Sequence, residues 1–286
     1  MADDDMATPR ALIADFEEHA GLPPGAGERF SGYGVLGLPF SSGHVLALRR
    51  FPASSLGPGY TSVWLRTPAG SWVMYATVAP SLSCPRFFGS ALEAASVHEI
   101  SLAWRDDACL TVGIGDDVDL EWDIRLGSTP ATRLMTALAG ALPDQLWRRR
   151  LVLRAIAAVA GPSLRAGRIG LTGRASNRQH FSARPQRLWL IRESRALLHG
   201  QDLGTIRALP AQARLGDFRL PQRGLFMAGS VVFESFDPAR HLQAPAPGTA
   251  PRGRSRIQGT LHPAGRLVRS ASTRPHPELL NKVIDS

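Results

Sequence analysis

His98 stands beside Glu99, and His199 stands three residues ahead of Asp202. A carboxylate next to an imidazole holds it in one tautomer and lets it act as a general base. These four residues are the catalytic candidates, although neither pair has a nucleophile beside it and a structural role suits both. Five carboxylates, Asp116, Asp117, Asp119, Glu121 and Asp123, crowd one stretch, and clustered oxygens are what calcium or magnesium requires. Asp119, Glu121 and Asp123 nevertheless fall at two-residue steps, about 7 Å apart along the wet face of a strand, and no metal is expected. Gly32-Tyr33-Gly34-Val35-Leu36-Gly37 fits the GxGxxG pattern that lets a backbone approach a pyrophosphate. Leu38-Pro39-Phe40 prevents the helix that must follow, so no cofactor is expected either. GxSxG, P-loop, HExxH and zinc spacings are missing from the sequence, and Lys282, the sole lysine, lies near its end, which argues against a buried Schiff base. Asp217 and Arg223 read as an ion pair pinning a loop.

Strands must position these groups. Val118, Leu120, Trp122, Ile124 and Leu126 alternate with polar residues, as do Ile100, Leu102 and Trp104, and Leu110, Val112 and Ile114. A period of two marks one dry and one wet face. Short turns at 105–107 and 115–117 join the runs into an antiparallel meander. Upstream, strands are expected at about 30–39, 44–51, 60–66 and 72–78, with an irregular stretch over 80–95. Downstream they are expected at 167–173, 187–192, 195–199 and 225–234. Thr8-Pro9 and Thr129-Pro130 are helix starts, a capping residue followed by proline at the first helical position. A helix carrying Leu134, Leu138 and Leu142 on one side follows the second, then another from Asp144 to Ala160, stopped by Gly161-Pro162. The latter is basic at Arg148-Arg149-Arg150 and apolar on nearly every side beyond.

The chain has 286 residues, 44% of them hydrophobic, and a formal charge of +9. Residues 243–286 hold seven basic and two acidic side chains, little periodicity and much proline, the composition of a disordered tail. That concentration removes most of the case for nucleic acid as a partner. The N-terminus lacks the pattern of a signal peptide, and the longest apolar run, 151–164, is too short to span a bilayer. Cys84 and Cys109 form no CxxC, and thiols in a cytoplasmic protein are the expectation. The domain plan is a helix and loop over 1–29, a barrel domain over 30–242 with a helical insertion at 129–162, and a basic tail over 243–286.

The fragments Gly34-Val35-Leu36-Gly37-Leu38-Pro39-Phe40, Ser83-Cys84-Pro85-Arg86-Phe87-Phe88-Gly89, His199-Gly200-Gln201-Asp202-Leu203-Gly204 and Leu215-Gly216-Asp217-Phe218 resemble a family of high-GC bacterial proteins. That resemblance brings no activity with it. More distantly, so many strands with a late Gly-Asp-Leu-Gly-like turn are similar to lipocalin-like (calycin) barrels in architecture alone. That group includes carriers of apolar ligands, carotenoid hydratases and cyclases.

The expected fold is therefore mainly β, an antiparallel, closed or nearly closed β-barrel with an inserted helical pair and a disordered C-terminal tail. The first expected function is binding of a hydrophobic or amphiphilic small molecule, one with an acidic head group included. Trp104, Trp122, Trp147, Leu151 and Arg148 are the ligand-binding candidates. In this reading Leu151, Ile156 and Val159 lie over an open barrel end while Arg148, Arg149 and Arg150 stay in water. Whether the protein is an enzyme is left open. One alternative is a cofactor-independent isomerase, cyclase or hydratase on an apolar substrate; another is a module making protein contacts or transient membrane-surface contacts.

Overall fold

The computed structural model describes residues 7–115 and 117–243. In chain order its elements are α1 (Pro9–Glu18), β1 (Glu28–Pro39), β2 (Val45–Ser54), β3 (Tyr60–Arg66), β4 (Trp72–Ala76), α2 (Pro85–Phe88), β5 (Ala94–Val97), β6 (Ser101–Trp104), β7 (Cys109–Ile114) and β8 (Leu120–Gly127). Then come α3 (Pro130–Ala141), α4 (Asp144–Trp147), α5 (Arg150–Ser163), β9 (Thr172–Arg174), β10 (His180–Leu198), β11 (Gln201–Asp202), β12 (Arg214–Leu215), β13 (Phe218–Arg219) and β14 (Leu225–Phe233).

One sheet runs in the order β5-β4-β3-β2-β1-β14-β10-β8-β7-β6. It corrects the expected barrel in two ways. The sheet is mixed, because β4 and β5 pair in parallel across the turns and short helix of residues 77–93, and parallel neighbours need such a crossover. It is also a curled half-barrel: β5 and β6 end the hydrogen-bonded path and are not joined to each other. The expected runs at 187–192 and 195–199 are one long strand, β10, which pairs with β14, β8, β9 and β11. Of 167–173, only Thr172 and Gly173 enter a strand. The expected tail lies, apart from Gln243, outside the described residues.

β1, β2 and β3 are buried on both faces. Val63 and Leu65 of β3 share a core with Leu110 and Val112 of β7, although five strands separate them along the path. Only a sheet curled around that core brings them together. Leu46 and Leu48, Trp122 and Ile124, Trp189 and Phe226 fill it, and α1 closes it with Ile13. The helix is capped by Thr8 and held by the Glu17–Arg50 ion pair, with Arg50 Nε donating to Oε1 at 2.8 Å. The inside of the curl is thus filled with side chains.

Alternate residues of the same strands face outward: Ala47 and Phe51, Tyr60 and Trp64, Phe181 and Phe233 belong to a second core. The helical turns of 80–91 cover it with Cys84, Phe87 and Phe88, and the β12–β13 hairpin contributes Leu215 and Phe218. Phe87 stacks on Phe233 with centroids 3.7 Å apart. One end is locked by polar groups, where Arg86 Nη2 donates to Glu28 Oε1 at 2.7 Å and Gln179 Nε2 to Glu28 Oε2 at 3.2 Å.

The helical insertion lies on this same outer side. Thr129 and Thr132 form a capping box at the start of α3, Thr136 Oγ1 accepts from the Leu188 amide at 3.2 Å, and Asp144 pairs with Arg184 at 2.8 Å. Two expectations change here. The helix from Asp144 to Ala160 is broken at Arg148-Arg149 into α4 and α5, and α5 runs through Pro162 to Ser163. In α3 Thr132 and Ala139 are buried and Ala131 and Met135 pack with Leu188 and Leu190 of β10, whereas Leu134 and Leu138 are 56% and 51% exposed. Among the described residues no helix is long and apolar enough to cross a membrane.

Candidate ligand-binding site

Arg49 is the residue around which the outer core is built. It lies on the outward parity of β2 between Ala47 and Phe51, opposite Ser62 of β3. The registry between β1 and β2 is irregular from Tyr33 to Leu38. Gly34 takes a φ of +155°, and a Cβ there would stand 2.0 Å from Leu48 O, so glycine is needed for the two backbones to touch. Into this irregular stretch Arg49 sends its guanidinium. Nη1 donates to Val35 O and, at 2.7 Å, to Leu48 O, while Nη2 donates to Leu36 O at 3.2 Å. Its cation lies over the rings of Trp64 and Phe218, 4.7 and 5.5 Å from their centroids.

Among the described residues no carboxylate pairs with Arg49. Burial pushes its pKa down from the ordinary guanidinium range to about 10, against the opposing pull of Cys84 and Tyr60. The group therefore remains a cation at neutral pH, desolvated and without a counter-ion. Among the side chains that line the space with it, the Tyr60 phenol, the Cys84 thiol and the Trp64 indole can each donate a hydrogen bond. Tyr60 Oη shares a hydrogen bond of 3.4 Å with Cys84 Sγ, and burial holds the phenol well above its ordinary pKa. Burial also raises the Cys84 thiol, although Tyr60, Arg49, Trp64 and Ser62 all favour its thiolate. Trp64 Nε1 and Ser62 Oγ are buried and have no full hydrogen-bond partner, an expensive state for polar groups.

Arg49, Tyr60, Trp64 and Cys84 line a narrow cavity of about 80 Å³ walled by Phe30, Phe51, Phe181 and Phe218. It adjoins a second cavity of about 350 Å³ lying between the sheet and helices α3 and α5, and both are lined by Leu36, Ile169, Leu171 and Met227. The larger space is apolar, bounded by Met135, Leu142, Ile156 and Val159 among others. Neither lining contains Asp, Glu or His. The arrangement can hold an anion deep in an aromatic pocket and an aliphatic body under the helices.

The residues singled out in the sequence are dispersed. His98 shares a hydrogen bond of 2.9 Å with Ser96 and faces Asp117 at 3.8 Å, while Glu99 is exposed. His199 sits exposed in a turn with φ +50°, and Asp202 accepts from the Gly204 amide and meets Arg195 at 3.4 Å. Asp217 accepts from the Arg174 amide at 3.0 Å, which pins the loop without the expected Arg223. No three metal-capable side chains converge among the described residues, and Asp119, with φ +39°, precedes β8. Cys84 and Cys109 are both free and buried.

Of the ligand-binding candidates, Trp122 lies in the inner core and donates from Nε1 to Ser194 Oγ at 2.8 Å, and Trp104 packs against that core. Both are on the far side of the sheet from the cavities. Trp147 lines the larger cavity, and with Arg148 it also lines a shallow cleft beside Pro23 and Pro24. Leu151 is 78% exposed, and Ile156 and Val159 line a groove on the outer face of the sheet rather than covering an open barrel end. Sequence reasoning missed Arg49, Tyr60, Trp64 and Cys84. The available signal was Val45 to Phe51, an apolar run without alternation, which marks a strand buried on both faces and makes an arginine within it conspicuous.

No family model and no curated protein matches the chain. Among solved structures, an acetoacetate decarboxylase from Legionella pneumophila subsp. pneumophila aligns at 10% identity over 78% of this chain and 93% of its own, with a TM-score of 0.35. A second acetoacetate decarboxylase structure aligns at 10% identity over 77% of this chain and 90% of its own, with a TM-score of 0.36. Superposition at that level carries no argument about the chemistry of this site.

Proposed function

We propose that the protein binds an amphiphilic carboxylic acid, with the carboxylate on Arg49 and the aliphatic or ring body in the groove beneath α3 and α5. One observation carries this reading: among the described residues a buried guanidinium without a carboxylate partner lies beside Trp64 Nε1, a buried donor that has no hydrogen-bond partner. A bare buried charge is unfavourable unless something pairs with it. A carboxylate would accept from the free guanidinium hydrogens and lie within the donor field of Tyr60 and Trp64. The neighbouring apolar space explains why the ligand should also be hydrophobic, since pockets of some hundreds of Å³ suit small organic ligands.

The enzymatic alternative needed a desolvated carboxyl group to protonate an apolar substrate, and neither cavity lining supplies one. The carrier reading needs no such group. It is tested by native mass spectrometry and by displacement of a polarity-sensitive fluorescent fatty acid by acids of graded chain length. Binding should tighten as the chain grows until the groove is full. Absence of any binding below about 100 μM, roughly 5.5 kcal/mol, across acids of all lengths would refute it.

A further inference from the structure

The groove opens between two helices whose outer faces are unusually apolar. On α3, Leu134 and Leu138 lie one turn apart and are 56% and 51% exposed; on α5, Leu151 and Val159 lie two turns apart and are 78% and 60% exposed, with the exposed Ala155 midway. Residues four apart share a helix face, so each helix presents one stripe. Leu138 from one stripe and Ala155 and Val159 from the other line the groove itself. The stripes therefore flank its mouth.

Arginine surrounds them. Residues 129–166 contain six arginines and one acidic residue, Asp144. Arg133, Arg148, Arg149, Arg150, Arg154 and Arg165 are exposed, while Asp144 is taken by Arg184. Whatever covers this face must be apolar below and anionic at its rim. The chain's own C-terminal residues 243–286 carry seven basic and two acidic side chains and are of the wrong sign, as is the same arginine rim of a second copy. An anionic lipid bilayer has both required properties: leucines enter the acyl boundary while arginines meet the head groups.

We propose that the outer face of α3 and α5 docks on an anionic membrane surface and that the groove exchanges its ligand there. The exchange rests on the amphiphile-binding reading above, whereas the docking does not. In vesicle flotation the full-length protein should rise with phosphatidylcholine vesicles containing phosphatidylglycerol and stay behind with phosphatidylcholine alone. Raised salt should weaken the association. Leu134→Ser/Leu151→Ser, which alters two exposed residues outside the groove lining, should lower vesicle partitioning by at least about tenfold. Its affinity for the fluorescent fatty acid in solution should equal that of the parent.

Equal flotation of parent and variant would overturn the proposal, since attachment would then come from another part of the chain. Failure of the parent to float with anionic vesicles would overturn it outright. So would a parent dimer that the double substitution dissolves, because a second copy would then cover the stripes. Leucine-dependent flotation by a parent that binds no fatty acid would uphold the docking and refute the pocket reading alone.

Discussion

Replacing Arg49 by methionine separates the two jobs its geometry allows. Its guanidinium caps the carbonyls of Val35, Leu36 and Leu48, which is a structural task, and it offers an uncompensated charge, which is a binding task. Burial lowers its pKa from the ordinary guanidinium range to about 10, and one pKa unit corresponds to about 1.4 kcal/mol. Holding the charge in the fold therefore costs on the order of 3 kcal/mol. By linkage, a base whose folded pKa is depressed carries this penalty at every pH below about 10 and sheds it only as pH rises toward the ordinary guanidinium range. Three hydrogen bonds from the guanidinium to carbonyls return about 1.5 kcal/mol each, the lower end for a charged donor. Arg49→Met removes both contributions and keeps most of the volume, so its unfolding free energy should stay within about 2 kcal/mol of the parent's. Binding of the fluorescent acid should meanwhile fall by two orders of magnitude or more, as expected when a buried charged partner is lost. Urea unfolding and fluorescence titration on the same samples decide the matter. A variant that loses more than about 4 kcal/mol yet still binds the acid as tightly as the parent would show that Arg49 is only a plug for the irregular strand pairing.

Trp122→Ala should cost about 3–5 kcal/mol because it empties a fully buried position, whereas Glu121→Ala on the exposed parity should stay within about 0.5 kcal/mol; similar losses at both would refute the register of β8. Gly34→Ala should destabilise by several kcal/mol or fail to fold, since its Cβ would meet Leu48 O at 2.0 Å, and a neutral result by thermal melting would mean the strands are not in contact there. Burial raises the Cys84 thiol, so alkylation by iodoacetamide should accelerate only above the ordinary thiol range, and a bound acid should slow it; fast labelling at neutral pH would contradict a desolvated, protonated thiol beside Arg49. Burial alone would raise the Glu234 carboxyl, but the His180 amide, His241 and Arg240 together hold it lower. Its contribution is therefore full above the ordinary carboxylate range and is lost as pH falls through the depressed value, and Glu234→Gln should flatten the acid limb of the stability profile.

The inner core was legible where β8 meets it, because that strand has one wet face. Leu120, Trp122, Ile124 and Leu126 alternate with polar residues, and the meander they imply is present with that register. The outer site was not legible for the converse reason. In β2 and β3 both parities are buried, so periodicity cannot separate the side that fills the curl from the side that lines the outer cavity. The tryptophans of the inner core drew attention as ligand residues because they were visibly on a dry face, and sequence does not reveal that the curl fills that face. Parallel pairing of β5 was hidden by the irregular stretch before it. The helix starts at Thr8-Pro9 and Thr129-Pro130 were plain from capping chemistry, but the side of α3 that meets the sheet carries Ala131, Met135 and Thr136 rather than Leu134 and Leu138.

A matched pair of ligands tests whether Arg49 recognises charge without altering the protein. Calorimetric titration with a long-chain carboxylic acid and with its methyl ester compares the same apolar body with and without the anion. The acid should bind at least about tenfold more tightly, the least expected from hydrogen bonds to a charged group. Equal affinity for acid and ester would contradict that recognition.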